Sequence, residues 1–523
     1  MSAIITDQIR ILNSKSFLKD ITDPDNSYYM FVGLTNPFDY DLGWDISPPA
    51  PKDSFEQENS YWDTMISLKR IKNEDIKQVI RRINWESGII YDLYKNNIDR
   101  INTASQSNAT SLYSSNFYVM NSDYRVYICL QNGTDPENPT GRPSLDEPRF
   151  TDLEPRAAGP SGDGYIWKYL YTISPSDVIK FDSTNYIPVP RDWETNSDAA
   201  PIIANATNGG QLKTIVIKKR GKNLGIPNQV YPRVPIVGDG EGAYATIVVN
   251  NNSQVESITV STGGSGYTFG TVDLRSAGFP ISATENPEFE VIIPPKGGHG
   301  YDIYRELGSS NILVYSRIEN DTQNPDFIIG NDISRVGIVK NPLSYGTNSL
   351  LNIDKASAVS AIKFPVGSYE DASFPADSII TQTIGLGITA IGRVISFDKT
   401  TGVLKYWQDK FKYGFNIDGS SDPTPTYGFH KNKFTSTPLT GGSLNIVGQV
   451  STVPIDTSFG TLINPGISTN LNSRTYFLGQ NFIQGISTPE VEKYSGNIIY
   501  VDNRPPITRS QNQKEDIKVI LQF

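Results

Sequence analysis

Ile391-Gly-Arg-Val-Ile-Ser-Phe397, Asp398-Lys-Thr-Thr-Gly402 and Val403-Leu-Lys-Tyr-Trp407 read in succession as strand, turn and strand. β-Branched and aromatic side chains suit a pleated surface, and a loop ending on Gly402 can take the positive φ that a tight reversal needs. The same pattern recurs to either side. Tyr28–Leu34 reads as a strand, and residues 116–131 read as a strand pair with Tyr118, Met120, Tyr124, Val126 and Ile128 towards the core. Near the C-terminus, residues 498–501 and 517–523 read as two strands flanking Asn503-Arg504-Pro505-Pro506. The last strand is expected to tuck into a sheet.

Composition agrees with a chain of many short strands. Its 523 residues hold 43 Gly, 34 Pro, 28 Tyr and 22 Phe, which favour turns and strands over long helices. Hydrophobic residues make up 37% and charged residues 20%, with a mean hydropathy of -0.35. That is the balance of a folded chain, of about three domains at roughly 150 residues each. Helical signal concentrates in the first 110 residues. There Asn73-Glu74-Asp75, followed by Ile76, Val79, Ile80 and Ile83, predicts a helix of about ten residues with acids at its start. Pro48-Pro49-Ala50-Pro51 and Asn36-Pro37 mark linkers or turns, and residues 132–164 and 414–442 read as long loops.

Residues 208–296 carry a weak internal repeat. Leu212-Lys-Thr-Ile-Val-Ile-Lys-Lys-Arg-Gly-Lys-Asn-Leu-Gly225 aligns with Val255-Glu-Ser-Ile-Thr-Val-Ser-Thr-Gly-Gly-Ser-Gly-Tyr-Thr268. Each copy runs from an alternating strand into a glycine turn, as expected of two β units sharing a core. Residues 208–297 are therefore expected to form an inserted β-repeat domain, and residues 351–487 a second inserted β-rich domain.

Scarcity limits the chemistry. Cys129, His299 and His430 are too few for a disulfide framework or a four-ligand zinc site, and no cofactor is called for. A net charge of -10 repels phosphate backbones and anionic lipid. The short basic runs Lys218-Lys219-Arg220 with Lys222, and Lys405, Lys410 and Lys412, read as solvated strand ends. Neither a nucleic acid nor a membrane is an expected partner. The first 15 residues lack the continuous apolar stretch of a signal peptide, so synthesis in the cytosol is expected. The sequons at Asn108, Asn132 and Asn205 then read as polar turns. Gly238-Asp-Gly-Glu-Gly242 and Gly263-Gly-Ser-Gly266 lack the Gly-Lys-Ser/Thr ending of a phosphate loop. Gly297-Gly298-His299-Gly300 offers a histidine without a nearby acid or thiol in sequence, which favours turn geometry over catalysis. No catalytic or metal-binding set emerges, and the chain is not expected to be an enzyme.

Three stretches carry a resemblance: Gly162-Asp163-Gly164-Tyr165-Ile166-Trp167; Asn331 to Asn341-Pro342-Leu343; and Ser495-Gly496 to Asn503-Arg504-Pro505-Pro506-Ile507. They resemble, in the same order, the baseplate wedge family called gene product eight of T-even-like contractile-tailed phages. Residues 48–54, 62–65, 81–85 and 185–190 are similar to it more weakly. The resemblance covers roughly 1–207, 298–350 and 488–523 and fails across both β-rich blocks, which makes the wedge core discontinuous. It implies a mainly β fold with an α+β core, its β-sandwich layers flanked by a few helices. It further implies a structural subunit that forms a homodimer in each wedge, touches other wedge subunits, and takes part in the rearrangement that triggers sheath contraction. Location would be host cytoplasm during assembly, then the virion tail. The inserted domains would reach tail-fibre or peripheral baseplate proteins. Two other readings compete: a carbohydrate- or receptor-binding virion adhesin, and an enzyme that degrades surface polysaccharide.

Overall fold

The computed structural model describes residues 6–35, 43–279, 285–319, 332–385, 388–411, 443–446, 449–508, 510 and 513–523. The expected loop over 414–442 and the Asn36-Pro37 turn lie outside them. Within them the fold is mainly β, as the sequence implied. The two longest helices, Asp7–Thr22 and Phe55–Thr64, both fall in the first 110 residues. The chain divides into two compact units, one of Met1–Leu18, Ile76–Val314 and Ile520–Phe523, the other of Lys19–Asp75 and Tyr315–Val519.

In the first unit, Tyr118–Met120, Arg125–Asn132 and Tyr165–Thr172 form a three-stranded antiparallel sheet. Its middle strand holds the apolar run Val126-Tyr-Ile-Cys-Leu130, every residue of which is buried. A run buried on both faces needs no alternation, so the single face expected for this pair was too narrow. Tyr124 is not on it: it is exposed, with φ 58, in the turn before the strand. Beyond Asn132, which ends that strand, residues 133–164 contain no strand or helix, in line with a long loop.

The helix expected from Asn73 onward is a correction. Asn73–Asp75 makes one 3-10 turn, and Ile76–Arg81 is a strand. It pairs with Asn311–Glu319 on one side (Val79 with Asn311) and Tyr186–Pro188 on the other (Val79 with Pro188). Ile76, Val79 and Ile80 are β-branched and buried. When both faces of a strand are covered, its apolar spacing mimics a helix stripe, and tertiary pairing decides.

Also in this unit, Val255–Ser265, Glu241–Val249, Val230–Gly238 and Gly270–Val272 form a sheet in that order, while Thr214–Lys219 pairs with Glu288–Ile292. The two repeat copies touch: Leu212 N donates to Gly263 O (3.0 Å) and Val255 N to Arg220 O (2.9 Å). Ile215 and Ile217 share a core with Val255 and Ile258. A Cβ on Gly263 would lie 2.5 Å from Leu212 O, so the approach of the copies depends on that glycine.

In the second unit, Lys355–Ser357, Met65–Arg70, Tyr28–Leu34, Asp332–Lys340 and Asn497–Thr508 form an antiparallel five-stranded sheet in that order. Tyr28–Leu34 is near its centre and wholly buried. A seven-stranded sheet contains the expected hairpin, Ile388–Asp398 with Val403–Trp407, and Gly402 takes φ 69 at its turn. The C-terminal reading needs adjustment. Asn497–Thr508 is one strand running through Asn503-Arg504-Pro505-Pro506. Arg335 pairs with Asn503 and Ile333 with Ile507, so three residues oppose Ser334 alone in a bulge. Proline is tolerated there because this is an edge strand. Lys514–Gln522 does join a sheet, beside Asn311–Glu319, but only Val519 along it is buried.

Candidate functional site

The three motif stretches do not form one constellation. Gly162 to Trp167 belong to the first unit, and Asn341, Pro342 and Asn503 to Pro506 to the second. In the first, Asp163 closes the loop onto the sheet: its carboxylate accepts from Leu145 N (2.9 Å) and Tyr165 N (3.0 Å). Tyr165 accepts from Tyr91 N and donates to Arg142 O, and its ring stacks on buried Trp167 at 5.3 Å. Gly162 and Gly164 both have positive φ, and a Cβ on Gly164 would lie 2.7 Å from Gly133 Cα.

In the second unit, Asn341 ends the Asp332–Lys340 strand with φ 55. Its Oδ1 accepts from Ser27 N (2.7 Å) and its Nδ2 donates to Asn26 (3.0 Å). Asparagine suits this position because its short amide tolerates the left-handed region and bonds locally. Pro342 O accepts from Leu351 N. Asn503 accepts from Arg335 Nε (3.2 Å) and donates to Pro49 O (3.0 Å), which gives the Pro48–Pro51 linker a fixed contact. Arg335 also donates to Leu34 O and Thr64 Oγ1 and lies over the Tyr61 ring. Arg504 is exposed and pairs with Asp502 (2.6 Å); Pro505 is exposed and Pro506 half-buried.

A charged cluster in this unit was invisible in the sequence. Asp63 lies buried at the end of the Phe55–Thr64 helix. Its carboxylate accepts from Tyr494 Oη and from Lys410 N (3.0 Å), while its backbone carbonyl accepts from Lys493 Nζ (3.0 Å). Lys410 Nζ reaches Asn59 and lies 4.5 Å from the Tyr494 ring centre. Burial pushes Asp63 up to about 7, against the Tyr494 hydrogen bond and Lys493. Burial also raises Asp409 and lowers Lys493 to about 8. Alongside lies a cleft of about 570 Å³ lined by Tyr345, Trp407, Gln408, Asp409, Lys410 and Glu492 among others. The partners are more than 340 positions apart, so no local pattern could have signalled them.

The remaining candidates resolve individually. His299 has an acid partner after all, Glu306, 2.6 Å from Nδ1; Gly300 N donates to the same carboxylate (2.7 Å). Both side chains are buried, so the pair fixes a turn and presents nothing to solvent. Lys218, Lys219, Arg220 and Lys222 are not merely solvated: they pair with Glu290, Glu288, Glu137 and Glu285. Lys405 is lowered by burial to about 8, and Lys412 lies outside the described residues. Asn132 is no polar turn; it is buried at a strand end and donates to Tyr91 O. Among the described residues, no group of three His, Cys, Asp or Glu is placed to hold a metal ion, and no helix is long and apolar enough to cross a membrane.

The comparisons with known proteins find similarity to a phage baseplate wedge protein over part of the chain. Residues 3–154 match the Phage-Gp8 family, described as bacteriophage T4 Gp8. Over 222 residues the chain is 26% identical to baseplate wedge protein gp8 of Enterobacteria phage T4, covering 38% of this chain. The match spans 63% of that relative's length.

Proposed function

We propose that this chain is a structural subunit of a contractile phage tail baseplate, working by contact and not by catalysis. The similarity of residues 3–154 to gp8 is the observation that carries this reading. The chain would sit in the wedge as a homodimer, touch other wedge subunits, and shift with them when the sheath contracts. Gly162, Asp163, Gly164, Tyr165, Trp167, Asn341, Pro342, Asn503, Arg504, Pro505 and Pro506 would serve as structural residues, holding loops onto the two sheets. Residues 208–297 and 351–487 would be decorations on a core formed by 1–207, 298–350 and 488–523. In support, the first block leaves and re-enters the chain at one place, since a Cβ on Gly298 would lie 2.2 Å from Ala206 O.

Electron microscopy of purified tails carrying a tagged chain tests the location, and sedimentation of the purified chain tests the dimer. Labelling at the distal plate is expected. A chain absent from tails that binds host glycans in isolation would favour an adhesin instead.

A further inference from the structure

Lys168 sits in the middle of the Tyr165–Thr172 strand and is 1% exposed. Its Nζ meets two uncharged oxygens, Leu153 O and Asn205 Oδ1, each at 2.8 Å. Burial outweighs the nearby carboxylate of Glu306 and lowers the amine to about 8. A lysine held this way is in part the neutral amine at mildly alkaline pH, and a neutral amine with its electron pair free is a nucleophile.

The group it faces is a carboxamide held at both ends. Asn205 is the last residue of the Ala200–Asn205 helix; its Oδ1 accepts from Lys168, and its Nδ2 donates to Glu154 Oε1 at 2.8 Å. With a C=O bond of about 1.2 Å, Asn205 Cγ lies no more than ~4 Å from Lys168 Nζ, against about 3–3.5 Å for a reacting pair. Burial acts to raise Glu154, but hydrogen bonds from Asn205 and Asn208 lower it overall below the usual carboxylate range, so it stands ionised. A carboxylate resting on the nitrogen that would leave can deliver a proton to it. The amine is dry, whereas Glu154 is exposed, which leaves ammonia a way out to solvent.

We propose that Lys168 and Asn205 join in an isopeptide bond that the chain forms by itself, with Glu154 as the proton carrier. The Nζ electron pair of Lys168 forms a bond to Asn205 Cγ. Glu154 takes one proton from Nζ and passes it to Nδ2; the Cγ–Nδ2 bond breaks, its electron pair stays on nitrogen, and one ammonia leaves. No oxidant, metal or second substrate enters. The bond ties the helix leading into residues 208–297 to the three-stranded sheet of the first unit, across 37 positions of sequence.

The purified full-length chain, fresh and after incubation at about pH 8, is digested with trypsin and mapped by mass spectrometry. A branched peptide joining the Lys168 and Asn205 segments is expected, lighter by one ammonia than the two apart. Mapping separates it from ring closure at Asn208-Gly209, which loses the same ammonia without joining peptides. Lys168→Met and Asn205→Ala should abolish the branched peptide, and Glu154→Gln should slow its formation by about 100-fold. Only unjoined peptides from the unaltered chain in both samples would overturn the proposal, however the variants fold. Joining at an unchanged rate in Glu154→Gln would overturn the role of Glu154.

Discussion

The Tyr494 hydroxyl donates to the buried carboxylate of Asp63, tying the 488–494 segment to the end of a helix more than 400 positions earlier in the chain. Burying a charge is unfavourable unless partners compensate, and here compensation is incomplete: Asp63 is raised to about 7. An unfolded aspartate titrates near ~3.9, so between these values the native state binds the extra proton. The stability that Asp63 contributes is complete below about pH 4 and is lost as pH rises through about 7. Asp63→Asn should flatten this part of the profile, by a few kcal/mol between pH 4 and 7. Urea unfolding of both proteins at pH 4, 5.5 and 7 measures it. Parallel profiles would contradict the burial argument.

Lys493 has the opposite sign. Lowered to about 8 by burial, it contributes stability above the unfolded value of about 10.4, lost as pH falls through 8. Lys493→Met alone should destabilise, because Asp63 then loses a nearby cation. The double variant Asp63→Asn/Lys493→Met should recover most of the loss, since it removes both of the interacting buried charges together and leaves neither uncompensated. A double-mutant cycle by denaturation gives the coupling; strict additivity would rule it out.

The two motif glycines should differ. At Gly164 a Cβ meets Gly133 Cα at 2.7 Å in a backbone of φ 84, whereas at Gly162, φ 70, nothing lies within 4 Å. Gly162→Ala should cost about 1–2 kcal/mol for the left-handed conformation alone, and Gly164→Ala clearly more. Thermal melts rank them, and equal losses would show that the close approach relaxes freely.

Asn341→Ala loses both the left-handed preference and the bonds to Ser27 and Asn26; about 2–3 kcal/mol is expected. Asn341→Gly keeps the conformation and should cost about 1 kcal/mol. Chemical denaturation distinguishes them.

Deleting 208–297 and joining Thr207 to Gly298, whose neighbourhood already meets Ala206, should leave a folded but weakened protein. Val216 and Ile292 pack into the neighbouring core, and Lys95 loses Glu290. Circular dichroism and melting temperature report this, and loss of all soluble protein would argue against the boundary.

Local chemistry made much of the fold readable. Gly402 announced its hairpin, and alternation through residues 116–131 announced a strand pair, though it marked only one of the two faces that Val126 to Leu130 bury. Ile76 to Arg81 misled because a strand covered on both faces repeats its apolar residues as a helix does. The prolines at 505 and 506 read as a break between strands because a bulge opposite Ser334 cannot be foreseen without the partner strand. The motif residues of the candidate site were marked in the sequence by the family resemblance, and the backbone needs of Gly162, Gly164 and Asn341 became apparent only from their positive φ. Asp63, Lys410, Lys493 and Tyr494 meet only after folding, as do His299 and Glu306 across an intervening turn.

The bulged prolines have one more effect. Pro505 and Pro506 sit on the outermost strand of the five-stranded sheet and have no amide hydrogen to offer. A sheet that would otherwise be open to addition is closed at that point. A strand approaching that edge meets two consecutive positions without a donor, so ladder growth is interrupted there by the chain's own covalent chemistry.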